Sequence, residues 1–144
     1  MKTASSMAEL EKMILDDMYK AMSIAKKKSE QDTIGEVQSF YSQGSPKIYK
    51  RKEKLKNSVR ATEANMGGSS VEFSIWLDQN ISYQVPNPDF TSRGLPSYFT
   101  TPEIFEAAES GTSGVKGKSG FWARSLIKIK SDTDSALGMY FSKI

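Results

Sequence analysis

At 144 residues, with 38% hydrophobic and 26% charged side chains, the chain fits one domain spanning 1–144 and is too short for two independent cores. It has no histidine and no cysteine, which removes the usual zinc ligands, a disulfide framework, the Ser-His and Cys-His nucleophile pairs and the commonest general base at neutral pH. A net charge of +3 is mild for a dedicated nucleic-acid binder, and neither a membrane-length apolar run nor the apolar segment of a signal peptide is present, so a soluble protein with no membrane partner is expected.

In chain order, Ser6-Met-Ala-Glu9 reads as a capping box: the serine hydroxyl accepts from the amide three residues on, and the glutamate reaches back to the cap amide. Behind it Met7, Leu10, Ile14, Met18, Ala21 and Ala25 recur at steps of three and four, which predicts an amphipathic helix in an N-terminal region covering 6–43. Its methionines could form an adaptable binding groove, but the narrow, continuous stripe favours core filling. Gly35 and a second box, Thr33 to Glu36, predict a kink or break near residue 32.

The run 47–56 follows, with Lys47, Lys50, Arg51, Lys52, Lys54 and Lys56 against one acid, interleaved with Ile48, Tyr49 and Leu55. It could neutralise phosphates; a solvated edge with three apolar residues turned inward is the plainer reading.

Over 57–84 a small antiparallel sheet is expected, with strands near 57–65 and 69–78 around a Gly67-Gly68 turn, because Val71, Phe73, Ile75 and Leu77 alternate with polar neighbours. Trp76 falls on the opposite face, either under a second layer or as an anchor for a partner. Residues 84–102 hold four of the five prolines, predicting a long loop over 85–101 that carries Phe90, Leu95, Tyr98 and Phe99 and docks on something.

The last region, 102–144, begins with Thr101-Pro102-Glu103 as cap, first-turn proline and first-turn acid of a short helix over Ile104, Phe105 and Ala108 that stops at Gly111. After a glycine-rich loop, Trp122, Leu126, Ile129, Ala136, Tyr140 and Ile144 follow helical spacing, although LIKIK would also suit a strand. The fold class expected is α+β: a long N-terminal amphipathic helix packed on a small antiparallel sheet, with a short helix and a C-terminal helix.

The loop GTSGVKGKSG, residues 111–120, superficially resembles a phosphate-binding loop, but G-x-x-x-x-G-K-[ST] ending at Gly117-Lys118-Ser119 needs glycine at Thr112. The loop also follows a charged helix instead of a buried strand, and only 24 residues remain after Gly120. It reads as a flexible joint leading to Phe121 and Trp122. No catalytic, metal or cofactor site is expected, since pairs such as Asp16 with Asp17 or Glu106 with Glu109 are ordinary helix-surface neighbours.

The order of these features resembles the small tail-component, or head-to-tail joining, proteins of long-tailed bacteriophages and prophages. It is carried by the long first helix, by Tyr49, Arg51, Leu55, Asn57 and Ser58, by the hairpin ending VEFSIWLDQ, and by Gly111-Thr112 followed by Lys118-Ser-Gly120-Phe121-Trp122. The chain departs from that pattern at Lys52 and Glu53, where threonine and often glycine are common.

The resemblance implies a structural virion protein with no cofactor, made in the host cytoplasm. Copies would form a ring, a hexamer or similar, at the neck, completing the tail or joining it to the head. Its partners would be itself, neighbouring neck or tail proteins, and DNA contacted without sequence reading by the basic run lining the channel. Trp76, Phe90, Tyr98, Phe99, Phe121 and Trp122 are the candidate interface residues. The alternative is a small basic cytoplasmic module binding nucleic acid through 47–56.

Overall fold

The computed structural model describes residues 3–42, 55–80, 101–111 and 117–141, and the fold is α+β. Helix α1 (Met7–Ser39) starts where the sequence places it, with Ser6 Oγ accepting from the Glu9 amide at 3.2 Å. The return bond lands one residue earlier than expected: Glu9 Oε2 takes the Ser5 amide at 2.7 Å and the Ser5 hydroxyl at 2.6 Å. Those hydrogen bonds, side chain before backbone, hold the Glu9 carboxyl below its ordinary value.

The expected kink near residue 32 does not occur, and α1 runs unbroken to Ser39 before a single 3-10 turn, Phe40–Ser42. Thr33, Glu36 and Val37 are buried against the rest of the molecule, so tertiary packing overrides the local capping signal. The expected core role of the stripe holds only for its second half. Ala21 and Ala25 are buried, whereas Met7, Leu10 and Ile14 are exposed.

The hairpin is shorter-stranded and more articulated than expected. Strands β1 (Val59–Ala61), β2 (Asn65–Gly67), β3 (Ser70–Glu72) and β4 (Ile75–Leu77) pair antiparallel as β1 with β4 and β2 with β3. Gly67 pairs with Ser70, so the turn is Gly68-Ser69, one residue later than predicted, and Gly68 takes the positive φ of 59° that this tight connection requires.

Between the two ladders lies a β-bulge. Ala61 faces Ile75 and Asn65 faces Glu72, leaving three residues on one strand against two on the other. Thr62 marks its edge, its amide donating to Ser74 O and its hydroxyl accepting from Ser74 N, both at 2.9 Å. The second strand keeps one alternation through Val71, Phe73, Ile75 and Leu77, while the first shifts its inward side from Val59 and Ala61 to the buried Ala64. A one-residue bulge is what reconciles those two phases.

Helix α2 (Thr101–Ser110) buries Ile104, Ala107 and Ala108 and ends at Gly111, whose φ of 72° lets its amide turn back to Ala107 O at 2.9 Å. The described part of the C-terminal segment is helical, as α3 (Phe121–Phe141). Its buried seam is Phe121, Ser125, Asp132 and Ala136, rotated from the expected one: Leu126 is exposed, Ile129 is only partly covered, and Ile144 lies outside the described residues.

Helices α1 and α3 pack antiparallel, with Ala136 beside Ala21 and Ala25, Asp132 beside Ser29, and Arg124 beside Glu36. One apolar cluster, flanked by Phe73, Leu137 and Tyr140, surrounds the three alanines. The larger one, at the other end, joins Val37, Phe40, Leu55, Ile104, Ala107 and Phe121, with the Phe40 and Phe121 rings edge to face at 6.2 Å.

Candidate interaction surface

Trp76 is 44% exposed and lies across the strand pair from Arg60, on the face opposite Ile75 and Leu77 as the alternation requires. It lines a groove of about 590 Å³ that Trp122, in the first turn of α3, lines as well. Leu77, Phe105 and Phe121 also line the groove, and Asp78, Glu106 and Glu109 supply carboxylates to it. The structure therefore brings together two of the predicted interface residues, 46 positions apart in sequence, on one surface.

Phe121 corrects the expectation made for it. It is fully buried in the larger core cluster and anchors α3 to the body of the protein. Phe90, Tyr98 and Phe99 lie outside the described residues, as do Lys47, Lys50, Arg51, Lys52, Lys54, Tyr49 and Thr112. Of Lys56 only the backbone, within the 3-10 turn Leu55–Asn57, is described.

The remaining motif residues are structural. Leu55 is buried, Ser58 Oγ donates to Leu55 O at 2.6 Å, and Ser58 O accepts the Asp78 amide at 2.7 Å, which fixes the hairpin's entry to its exit. Asn57 O accepts from Arg60 Nη1 at 2.7 Å, and Arg60 reaches Asp78 at 3.1 Å.

The glycine-rich loop is pinned at its second half. A side chain at Gly117 would clash with the Phe40 ring, and the Lys118 amide donates to Phe40 O at 2.9 Å, so residues 117–120 are seated on the turn that follows α1, while residues 112–116 of the expected flexible joint lie outside the described residues. Gly120, with φ of 76°, donates its amide to Glu109 O at 2.7 Å. The Glu109 carboxylate then accepts the Trp122 amide at 2.8 Å and the Ala123 amide at 3.0 Å, meeting free donors at the positive end of α3. In the sequence Glu109 reads as a surface acid, because its partners follow the loop 13 and 14 residues later.

Two ionic clusters across the α1–α3 seam also had no local signal. Glu36 takes Arg124 Nε at 2.6 Å and Lys128 Nζ at 2.7 Å. Burial opposes the charged form of Glu36, but the hydrogen bonds from Lys128 and Arg124 and their charges outweigh it and hold the carboxyl below its ordinary value. Buried Asp132 accepts from Ser29 Oγ at 3.2 Å and pairs with Lys28, whose own pKa is raised by its hydrogen bonds to Asp132 and Asp32. Among the described residues no cluster of carboxylates is arranged to hold a metal ion, and no helix is long and apolar enough to cross a membrane.

Fold and groove together define a small α+β protein with two tryptophans lining one groove at the junction of hairpin and helices. No protein-family model, curated protein or solved structure matches the chain.

Proposed function

We propose that this protein is a structural component of a bacteriophage or prophage virion, assembling as a ring in the neck that completes the tail or joins it to the head, and that it performs no catalysis. The observation that carries the reading is the groove lined by the exposed Trp76 and by Trp122, which is partly buried against the larger core cluster. Trp122 belongs to the Lys118-Ser-Gly-Phe-Trp122 segment on which the family resemblance rests, so one stretch supplies both the resemblance and the surface. Exposed Met7, Leu10, Leu126 and Ile127 add apolar surface that subunit or neighbour contacts would cover. The basic run 47–56 suits a channel wall that meets DNA phosphates without reading bases.

Light scattering and negative-stain microscopy on the full chain, with and without purified connector and tail proteins, test the reading. Rings, or a monomer that oligomerises on those partners, are expected. A monomer unaltered by either partner, combined with duplex affinity that falls steeply with salt, would replace it with the nucleic-acid-binding alternative.

A further inference from the structure

Among the described residues, helix α1 extends past α3. The last described turns of α3 lie beside Ala21 and Ala25, so residues 7–18 project past it by about 18 Å at a rise of 1.5 Å per residue. The face they present continues the one that α3 covers further along, and it carries large side chains: Met7 is 80% exposed, Leu10 40% and Ile14 41%. Together with Leu15, Met18 and Ser69 of the hairpin turn they line a groove of about 470 Å³. At the opposite end of the molecule, the first half of α3 exposes Leu126 (52%) and Ile127 (70%) on its outer side.

The two patches differ in charge. Residues 7–20 hold Glu9, Glu11, Asp16 and Asp17 against Lys12 and Lys20, a net of −2. Residues 121–131 hold Arg124, Lys128 and Lys130; Glu36 takes the first two and Asp134 pairs with the third, which leaves a net of +1 there. An arm laid on another copy's arm would set like charges together, whereas an arm laid on α3 sets opposite ones.

We propose that these patches are the two halves of one head-to-tail contact, residues 7–18 of one copy seating against Leu126 and Ile127 of the next. Made with a different copy at each end, the contact is heterologous, and repeated copies close into a ring where the rotation allows or run on as a filament where it does not; made twice with the same copy around a two-fold axis, it would stop at a dimer. Closure into a ring rests on the assembly reading above; the pairing of the two patches does not.

Sedimentation velocity on the full chain, with and without purified connector and tail proteins, tests it. The wild type is expected to associate beyond a dimer as concentration rises. The doubles Leu10→Asp/Ile14→Asp and Leu126→Asp/Ile127→Asp should each weaken association at least tenfold. An equimolar mixture of the two should form a heterodimer and nothing larger, since each retains one intact half. Association of either double at wild-type strength, or a mixture that stays monomeric, overturns the contact and leaves a ring built through another surface standing. A wild type that stays monomeric under every condition overturns both readings. Should a double fail to fold by circular dichroism, Glu11→Lys and Lys130→Glu serve instead: each weakens association, and a mixture of the two single variants recovers it through the swapped pair; no recovery overturns the contact.

Discussion

The two halves of α1 carry the same three-and-four periodicity and meet opposite fates. From Ala21 to Thr33, ahead of Val37 in the larger cluster, the inward positions Ala21, Ala25, Ser29 and Thr33 are small or polar and buried, with α3 close against this stretch. Before Ala21 the same face carries Met7, Leu10 and Ile14, which stay exposed in a groove that only Ser69 of the hairpin turn shares with α1 among the described residues. Periodicity therefore identifies a face, whereas side-chain size along it tells where another backbone comes near. Small residues permit a close helix approach, and large ones project where a partner has room to seat.

Within the packed half, the ends hold it and the middle specifies it. Phe121 closes the larger apolar cluster against Phe40 and Val37 with no exposed surface. Phe121→Ala should be the most damaging of these changes, costing about 3–5 kcal/mol through lost burial and a cavity. Urea unfolding would measure it; a loss below 1 kcal/mol, about the level of a single surface contact, would show that α3 is not anchored there.

Ala25→Leu inserts bulk where α1 meets Ala136 and should cost about 1–3 kcal/mol by overpacking. A neutral or stabilising result would mean the two helices have slack between them, and the size argument separating the halves of α1 would fail.

The middle of the seam is ionic. Glu36 is depressed below the ordinary carboxylate value of 4.5, so its contribution is fully present above that value and is lost as pH falls through the folded one. Glu36→Gln leaves Arg124 and Lys128 without their carboxylate, yet both keep partial access to water, so a cost of about 1–2 kcal/mol at pH 7 is expected. The gap from wild type should narrow as the solution is acidified below pH 4.5, and a gap of equal size at pH 7 and pH 3 would rule out Glu36 as its source. Lys28, whose pKa is raised, acts with the other sign: its share persists to the ordinary lysine value and fades only above it.

Legibility in the sequence followed the range of the interaction. The capping serine, the alternation of Val71 to Leu77, the stop at Gly111 and the helices themselves depend on neighbours a few residues away, and each could be read directly. The bulge beside Thr62 was hidden because only a change of phase between the two strands records it. Glu36 with Arg124 spans 88 positions, so no window along the chain contains both. Of the candidate surface, Trp76 is visible as an aromatic residue off its strand's apolar row and Trp122 as an anchor following the glycine-rich loop; that both line one groove depends on how the hairpin docks. Phe121 was misjudged because adjacent residues on a helix point about 100° apart, and beside Trp122 only one of the two can face the groove fully.

The smallest expected effect bears hardest on the comparison. Leu10→Ser removes a large apolar side chain from the same helix face on which Ala25 is buried, and in a core such a truncation would cost about 2–5 kcal/mol. In dilute protein, below any association, the cost should be within about 0.5 kcal/mol, because Leu10 loses little that it had gained on folding. The same substitution should matter once copies meet, so its stability cost is expected to grow with protein concentration, as binding linked to folding requires. A concentration-independent loss of core size would place Leu10 inside the monomer and remove the distinction between the two halves of α1.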